Sequence, residues 1–208
     1  MRKRDLEILL ERVPAHPKPR ADLEQYRTPP VIAADLLWQA YALGDVGERT
    51  LVDLGCGTGM LALGALLLGA PRATGVDVDA DALSVALESA RQLGVADRFE
   101  IEHSDVDGLT WPADTAIMNP PFGAQKRHAD RPFLDAAFRS SPVIWSIHLA
   151  ETQMWVENYA SRAGVVVTHA IPYRFPLKAQ FAFHEKPVKD VDVVALRFTH
   201  GDDAHGGD

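Results

Sequence analysis

The chain has 208 residues and 47% of them are hydrophobic, which favours one folded domain with a sizeable core and excludes global disorder. A single cysteine excludes an internal disulfide, and no Cys or His residues have the spacing of a zinc site. The formal net charge of −8 lacks the basic excess that is typical of proteins that bind polyanions.

Neither end of the sequence nor its interior indicates a membrane or secreted protein. Positive charges at the N-terminus are not followed by an apolar segment or a cleavage site, so we predict no secretory signal. No apolar run reaches the roughly 18–20 residues that a helix needs to cross a bilayer. We therefore expect a cytoplasmic protein without a structural metal.

Helical and strand-like patterns alternate along the chain. We predict helices at 4–13, 29–43, 59–69, 79–93, 131–139 and 150–163, and strands at 50–54, 73–77, 98–103, 115–118, 142–148, 164–171 and 190–199. This alternation indicates an α/β fold with a doubly wound, mostly parallel sheet and helices on both faces. We expect one domain over 1–200 with a helical extension at 1–45, and a disordered polar tail at 201–208.

A glycine-rich segment connects the first predicted strand with the helix that follows it. Its spacing, Gly-x-Gly-x-Gly after Asp53, differs from the Gly-x-Gly-x-x-Gly of dinucleotide-binding proteins. The glycines are Gly55, Gly57 and Gly59. They let a ligand approach backbone amides at the start of a helix, although a turn that only packs helix on strand is the alternative. Asp77 ends the next strand, where a carboxylate is well placed to accept hydrogen bonds from ribose hydroxyls.

The tetrad Asn119–Pro120–Pro121–Phe122 follows the predicted strand 115–118. Proline disfavours helix at the residue before it, and the two rings fix φ and remove two N–H donors. The Asn119 side-chain oxygen and the Pro120 carbonyl are therefore held as acceptors beside an aromatic ring. This arrangement suits a planar substrate with an amino group, such as a nucleobase, but a plain turn tolerates the same residues.

The ordered set of glycine loop, Asp77 and tetrad resembles the seven-stranded methyltransferases that use S-adenosylmethionine, and the tetrad resembles their amino-methylating branch. Further segments are similar to one family, the methyltransferase-like enzymes that form N6-methyladenosine in small-subunit ribosomal RNA of eukaryotes and archaea. These segments are 23–29, 53–57, 77–79, 119–123 and the surroundings of Tyr173, Phe183 and His184. The resemblance covers about residues 5–199 and implies that the last strand is antiparallel.

The resemblance implies S-adenosylmethionine as the cofactor. The residues expected to bind it are Gln25, Thr28, Asp53, Gly55, Gly57, Thr58, Met60, Asp77, Asp105 and Val106. Asp105 would accept a hydrogen bond from the adenine amino group with Val106 against the ring, and Gln25 and Thr28 would fold over the methionine end. The local pattern alone gives Asp105 as a turn residue and Thr28 as the N-cap of the helix 29–43.

The proposed chemistry is methylation of an aromatic amine, which is a poor nucleophile because its lone pair is delocalised. Acceptors on Asn119 and Pro120 would hold both N–H groups, with bonds that strengthen as charge builds on the nitrogen. Phe122 would stack on the base and fix its plane. Tyr26 and Phe183 are further candidates for the base pocket.

Basic residues are unevenly placed in this acidic chain, which has 19 Asp, 15 Arg and only 6 Lys. This balance resembles proteins of salt-loving organisms, in which acidic surfaces are screened. We predict RNA contacts from basic residues after the tetrad and near the C-terminus, although solvated loop charges would give the same pattern. They are Lys126, Arg127, Arg131, Arg174 and Lys178.

The resemblance also implies a protein partner, a small zinc-binding activator subunit shared by several methyltransferases. It extends the edge of the sheet by strand addition. In the strand order of the superfamily, that edge is the predicted strand 98–103.

Two other functions remain open. A protein-glutamine methyltransferase also uses Asn-Pro-Pro-aromatic, but usually with Tyr and an extra N-terminal helical domain. A non-catalytic scaffold would not need an intact Asn119, glycine loop and Asp77. A DNA methyltransferase is less well supported, because no segment is long enough for a separate target-recognition domain.

Overall fold

The computed structural model describes residues 1–20, 23–123, 128–178 and 188–201, with the backbone alone at 177–178 and 188–189. The helices are α1 (Lys3–Leu10), α2 (Pro30–Ala42), α3 (Met60–Leu67), α4 (Ala80–Gln92), α5 (Arg131–Ser140) and α6 (Gln153–Arg162). The strands are β1 (Leu51–Leu54), β2 (Ala73–Asp77), β3 (Phe99–His103), β4 (Thr115–Met118), β5 (Val143–Leu149), β6 (Val165–Lys178) and β7 (Val188–His200).

The seven strands form one sheet in the order β3-β2-β1-β4-β5-β7-β6. The pairs formed among β1 to β5 are all parallel, whereas β7 is antiparallel to both β5 and β6. This confirms the predicted α/β fold and its antiparallel last strand. The strand order reverses between β1 and β4, and ligands of such sheets bind beyond the carboxyl ends of the strands at this switch point. β3 lies at an edge of the sheet, as predicted.

Alternate residues of the central strands enter two hydrophobic cores, because successive side chains of a strand point to opposite faces. Leu51 of β1 and Ile117 of β4 pack into a core that helices α1 to α4 complete. Val52 and Leu54 of β1 pack into a second core with residues of α5 and α6, such as Leu134. Helices therefore cover both faces of the sheet.

Several elements differ in length from the sequence prediction, among them α1 and β6. α1 ends at Leu10 rather than 13, and a turn brings Val13 back into the core. β6 continues to Lys178 instead of ending at 171. Its extension contains Pro172 and Pro176, and proline is accommodated in a strand mainly at a sheet edge, where β6 lies.

Three further sequence expectations concern the C-terminal tail, membrane-spanning helices and metal sites. The predicted tail, 201–208, lies outside the described residues apart from Gly201. Among the described residues, no helix is long and apolar enough to cross a membrane. The same residues contain no group of three or more His, Cys, Asp or Glu side chains that could hold a metal ion.

Candidate functional site

A cavity of about 500 Å³ opens at the carboxyl ends of β1, β2 and β4. Its size is typical of small-molecule sites. All ten predicted cofactor-binding residues line it, together with Asn119 and Pro121 of the tetrad. The ten are Gln25, Thr28, Asp53, Gly55, Gly57, Thr58, Met60, Asp77, Asp105 and Val106. The structure thus brings together residues from five separate stretches of the chain.

The glycine loop forms one wall of the cavity in a conformation that disfavours other residues. Gly55 has φ 71°, and a Cβ atom there would lie 2.8 Å from the Phe133 ring. Gly57 has φ 53°, and a Cβ there would meet no atom within 4 Å. Residues with a Cβ rarely adopt such backbone angles, and the space beside Gly57 leaves its backbone open to a ligand.

Two carboxylates accept hydrogen bonds at the loop and at the start of α3, and of these Asp53 is buried and Asp77 is partly buried. Asp53 Oδ2 accepts a hydrogen bond from Ala62 N at 2.9 Å, and Asp77 Oδ2 accepts one from Gly57 N at 2.8 Å. Burial raises the pKa of Asp53 to about 7, an effect that the Asp77 charge increases and the Ala62 N–H reduces. Burial also raises the pKa of Asp77, against the lowering by the Gly57 N–H. Both groups would be stabilised in their charged form by a cationic ligand.

Asp79 binds two side chains of the segment before α2 that line the cavity, although the sequence analysis did not assign Asp79 to the site. Asp79 Oδ2 receives Gln25 Nε2 at 2.8 Å and lies 3.1 Å from His16 Nε2, and we call these contacts the Asp79 clasp. Its Oδ1 caps α4 by accepting from Asp81 N and Ala82 N. These hydrogen bonds lower the pKa of Asp79 although burial opposes the shift. An Asp before a helix signals the cap, but the sequence contains no signal for the contact with His16.

Asn119 is held in place from one side of its amide. Its Nδ2 donates to Thr28 Oγ1 at 3.0 Å. In the part of the chain that the structure describes, Asn119 Oδ1 is buried and has no hydrogen-bond partner. Thr28 is not the N-cap of α2, because the cap is Pro29 and no side chain accepts there. The Thr28 hydroxyl instead orients the amide of Asn119, a residue that lines the cavity, and does so through the NH2 group rather than the oxygen.

Two residues of the tetrad, Pro120 and Phe122, lie beside the cavity rather than in its wall, whereas Pro121 lines it. Pro120 is buried and Phe122 is half-buried, and neither is among the residues that line the space. The Phe122 ring meets Phe175 edge-on, with 5.6 Å between ring centroids. Tyr26, a candidate for the base pocket, lines the cavity. The other candidate, Phe183, lies outside the described residues.

Asp105 and Val106 close the cavity at the end of β3. The carboxylate of Asp105 is exposed, and its Oδ1 accepts from Asp107 N at 3.0 Å, so the predicted turn role is present. Val106 is buried. The turn leaves the second carboxylate oxygen of Asp105 available at the rim, beside an apolar surface.

The two predicted RNA-binding residues whose side chains are described are not part of the cavity wall. Arg131 is exposed and places its guanidinium 5.0 Å from the centre of the Tyr159 ring. Arg174 is 81% exposed and lies 3.8 Å from Asp192. Lys126, Arg127 and the side chain of Lys178 lie outside what the structure describes.

Comparison with known proteins relates this cavity to methyltransferases. The family model of ribosomal protein L11 methyltransferase (PrmA) matches residues 37–119, which extend from α2 through the glycine loop to Asn119. This region contains strands β1 to β4, and it ends at the first residue of the tetrad.

Relatives of similar length cover almost the whole chain. The rRNA N(6)-adenosine-methyltransferase METTL5 of Danio rerio is 32% identical over 211 residues, which are 96% of this chain and 99% of the relative. The protein MJ0284 of Methanocaldococcus jannaschii is 40% identical over 95% of this chain and 94% of its own. The crystal structure of PH1948 from Pyrococcus horikoshii superposes with a TM-score of 0.90 at 42% identity, over 96% of this chain and 98% of that chain.

Proposed function

Because the chain belongs to the METTL5 family of rRNA N(6)-adenosine-methyltransferases, we propose that its cavity is where a ribosomal RNA adenine is methylated on N6. The protein is an S-adenosylmethionine-dependent RNA methyltransferase that forms N6-methyladenosine. We further propose small-subunit ribosomal RNA as the substrate. The observation that supports the adenine site best is the buried oxygen of Asn119, which has no hydrogen-bond partner among the residues that the structure describes.

The residues of the cavity fit the proposed cofactor. S-adenosylmethionine carries a transferable methyl group on a positively charged sulfur. Asp53 provides a buried carboxylate and Asp77 a partly buried one for a cation, and the open backbone at Gly57 allows close approach. We assign the ribose hydroxyls to Asp77 and the adenine amino group to Asp105, whose apolar neighbour Val106 would contact the ring.

Asn119 is proposed to hold the amino group that is methylated. A buried acceptor without a partner costs roughly 1–3 kcal/mol, so its retention at a cavity favours a role with substrate. The Nδ2–Thr28 bond fixes the amide so that Oδ1, not the NH2 group, is available. An N–H of adenine would satisfy Oδ1, and the bond would strengthen as positive charge develops on N6.

The substrate base must leave its stack to reach Asn119. Unstacking costs a few kcal/mol, so a single-stranded or distorted RNA segment is the favoured substrate. We propose that Phe122 contacts the base and that Lys126, Arg127, Arg131, Arg174 and Lys178 contact phosphates. The exposure of Arg131 and Arg174 supports this for the two residues whose side chains are described.

We also propose a protein partner and a cellular setting. The β3 edge, which is available for strand addition, supports an activator subunit as partner. The excess of Asp over Lys supports a saline cytoplasm. We also propose one domain over residues 1–200, in which the N-terminal extension contributes His16 and Gln25 to the site.

The direct test is incubation of the protein with labelled S-adenosylmethionine and unmodified small-subunit ribosomal RNA, followed by nucleoside mass spectrometry. We expect label in N6-methyladenosine at one site. Label in a glutamine-containing ribosomal protein and not in RNA would instead support the protein-glutamine alternative. The control is the same reaction with Asn119→Ala, which should bind cofactor but leave the RNA unlabelled.

A further inference from the structure

A stack of aromatic rings leads away from the cavity on the side of α5 and α6. The His128 ring lies on Trp155, with 4.2 Å between ring centroids and 24° between planes. Trp155 lies in turn on Tyr159, at 5.3 Å and 16°. The Arg131 guanidinium lies over the Tyr159 ring. Trp155 and Tyr159 are four residues apart on α6, which places them on one face of the helix.

The backbone around His128 is held in a rarely used conformation. His128 has φ 60°, which is uncommon for a residue with a Cβ and costs free energy unless the surroundings impose it. Two residues later, Asp130 Oδ2 lies 3.2 Å from His148 Nδ1 of β5. His148 Nε2 is 2.7 Å from Ser146 Oγ, and both residues are buried. The turn is thus fastened both to the sheet and to α6.

This fixed turn reaches the cavity. His128 lines the same space as Asn119 and Pro121, whereas Phe122 does not. Trp155 covers one face of the imidazole, and His128 as a whole is only partly buried. An aromatic ring with one supported face, at the wall of a cavity with an unpartnered acceptor, is suited to stack on a planar ligand.

We propose that His128 stacks on the adenine that Asn119 holds, and that Trp155, Tyr159 and Arg131 act as positioning residues for it. This inference rests on the proposed RNA substrate and identifies one more residue of the same site. Stacking acts in the ground and transition states alike, so its loss should weaken RNA binding more than it slows the bound complex. Alanine substitution of stacking residues in other nucleic-acid sites weakens binding about tenfold or more.

The test is steady-state kinetics of His128 variants on a ribosomal RNA fragment that the wild-type protein methylates. For His128→Ala we expect the KM for RNA to rise about tenfold or more, with kcat changed less and S-adenosylmethionine affinity within about twofold. His128→Phe should restore most of the affinity, and His128→Leu should not. His169→Ala, which removes an exposed imidazole on β6, is the matched control and should behave as wild type.

A binding measurement separates stacking from a merely structural role. The measurement is the fluorescence of an RNA with 2-aminopurine at the target position. This fluorescence should be lower in the complexes with the wild-type protein and with His128→Phe than in the complex with His128→Leu. Equal fluorescence and equal KM for the Phe and Leu variants would overturn the inference, as would an unchanged KM for His128→Ala. A wild-type protein that labels no RNA would overturn the proposed function itself, which is a different result.

Discussion

The two ends of β4 carry two buried polar groups that the molecule treats differently. At the amino end, Asp45 accepts from Arg197 Nε at 2.7 Å, Arg197 Nη2 at 2.9 Å and Trp145 Nε1 at 2.9 Å. Its carbonyl oxygen also accepts from Thr115 Oγ1. At the carboxyl end, the Asn119 amide bonds through its NH2 group, and its buried oxygen has no partner among the described residues.

This difference in hydrogen bonding separates a group that stabilises the fold from one that we propose to bind substrate. Both oxygens of Asp45 are satisfied within the protein, so the network contributes to folding and offers nothing to a substrate. A buried oxygen such as Asn119 Oδ1 costs folding free energy while it has no partner, and we propose that a substrate N–H recovers that cost. The use of hydrogen-bond partners within the protein is what separates the two ends of the strand.

The largest expected effect comes from breaking the satisfied end. Arg197→Met leaves the Asp45 carboxylate buried without its cation, which should lower the free energy of unfolding by about 3–5 kcal/mol. Denaturant unfolding measures this directly. Arg174→Met, on the neighbouring strand and 81% exposed, is the control and should change stability by less than about 1 kcal/mol. Equal effects of the two substitutions would remove the contrast between the ends of β4.

The next effect concerns Asp77, which we assign to the ribose. Asp77→Ala should weaken S-adenosylmethionine binding by roughly 1–3 kcal/mol, because a partly buried hydrogen-bond acceptor is lost. Calorimetry is the measurement, and Asp81→Ala in the first turn of α4 is a control with an exposed carboxylate. An unchanged affinity would remove Asp77 from the ribose role.

The pKa of Asp53, raised to about 7, predicts a pH effect on stability. From about pH 4, where an exposed Asp ionises, to about pH 7 the unfolded chain releases a proton that the folded protein retains. Stability conferred by this group therefore falls as pH rises through that window, by up to about 1.4 kcal/mol per pH unit, and is level above it. Asp53→Asn should remove this slope in pH-dependent unfolding. Parallel curves for the two proteins would contradict the assignment.

A smaller effect is expected from opening the Asp79 clasp. His16→Ala should raise the dissociation rate of S-adenosylmethionine about fivefold, since one hydrogen bond of about 1 kcal/mol that fastens the segment is lost. Stopped-flow release of the cofactor measures the rate. Lys18→Ala, an exposed change in the same segment, should leave it unaltered. Identical rates for His16→Ala and wild type would show that the segment is fastened by other contacts.

Local patterns of the sequence account for most of the fold and for the glycine loop that forms one wall of the cavity. Short, nearly continuous apolar runs predicted the strands, because a parallel strand is buried on both faces. The glycines between β1 and α3 predicted the loop. The full length of β6 was not predictable, since Pro172 normally ends a strand and only an edge position tolerates it.

Contacts between distant residues account for what the sequence analysis missed. His16 and Asp79 are 63 positions apart, and His16 lies in an irregular segment without periodicity. The stack of His128 on Trp155 likewise joins a turn to a helix, and nothing in either local pattern pairs them. The bond between Thr28 and Asn119 spans 91 positions and replaced a plausible helix cap. Such pairs depend on how the elements pack.

The most direct test of the account measures folding and catalysis together in Asn119→Ala. The free energy of unfolding should stay within about 1 kcal/mol of wild type, because the substitution removes an unsatisfied oxygen as well as one hydrogen bond. S-adenosylmethionine affinity should stay within a few-fold, whereas methyl transfer to RNA at saturating substrate should fall about 100-fold or more. Near wild-type turnover, or a loss of turnover that follows loss of folding, would contradict the role of the Asn119 oxygen.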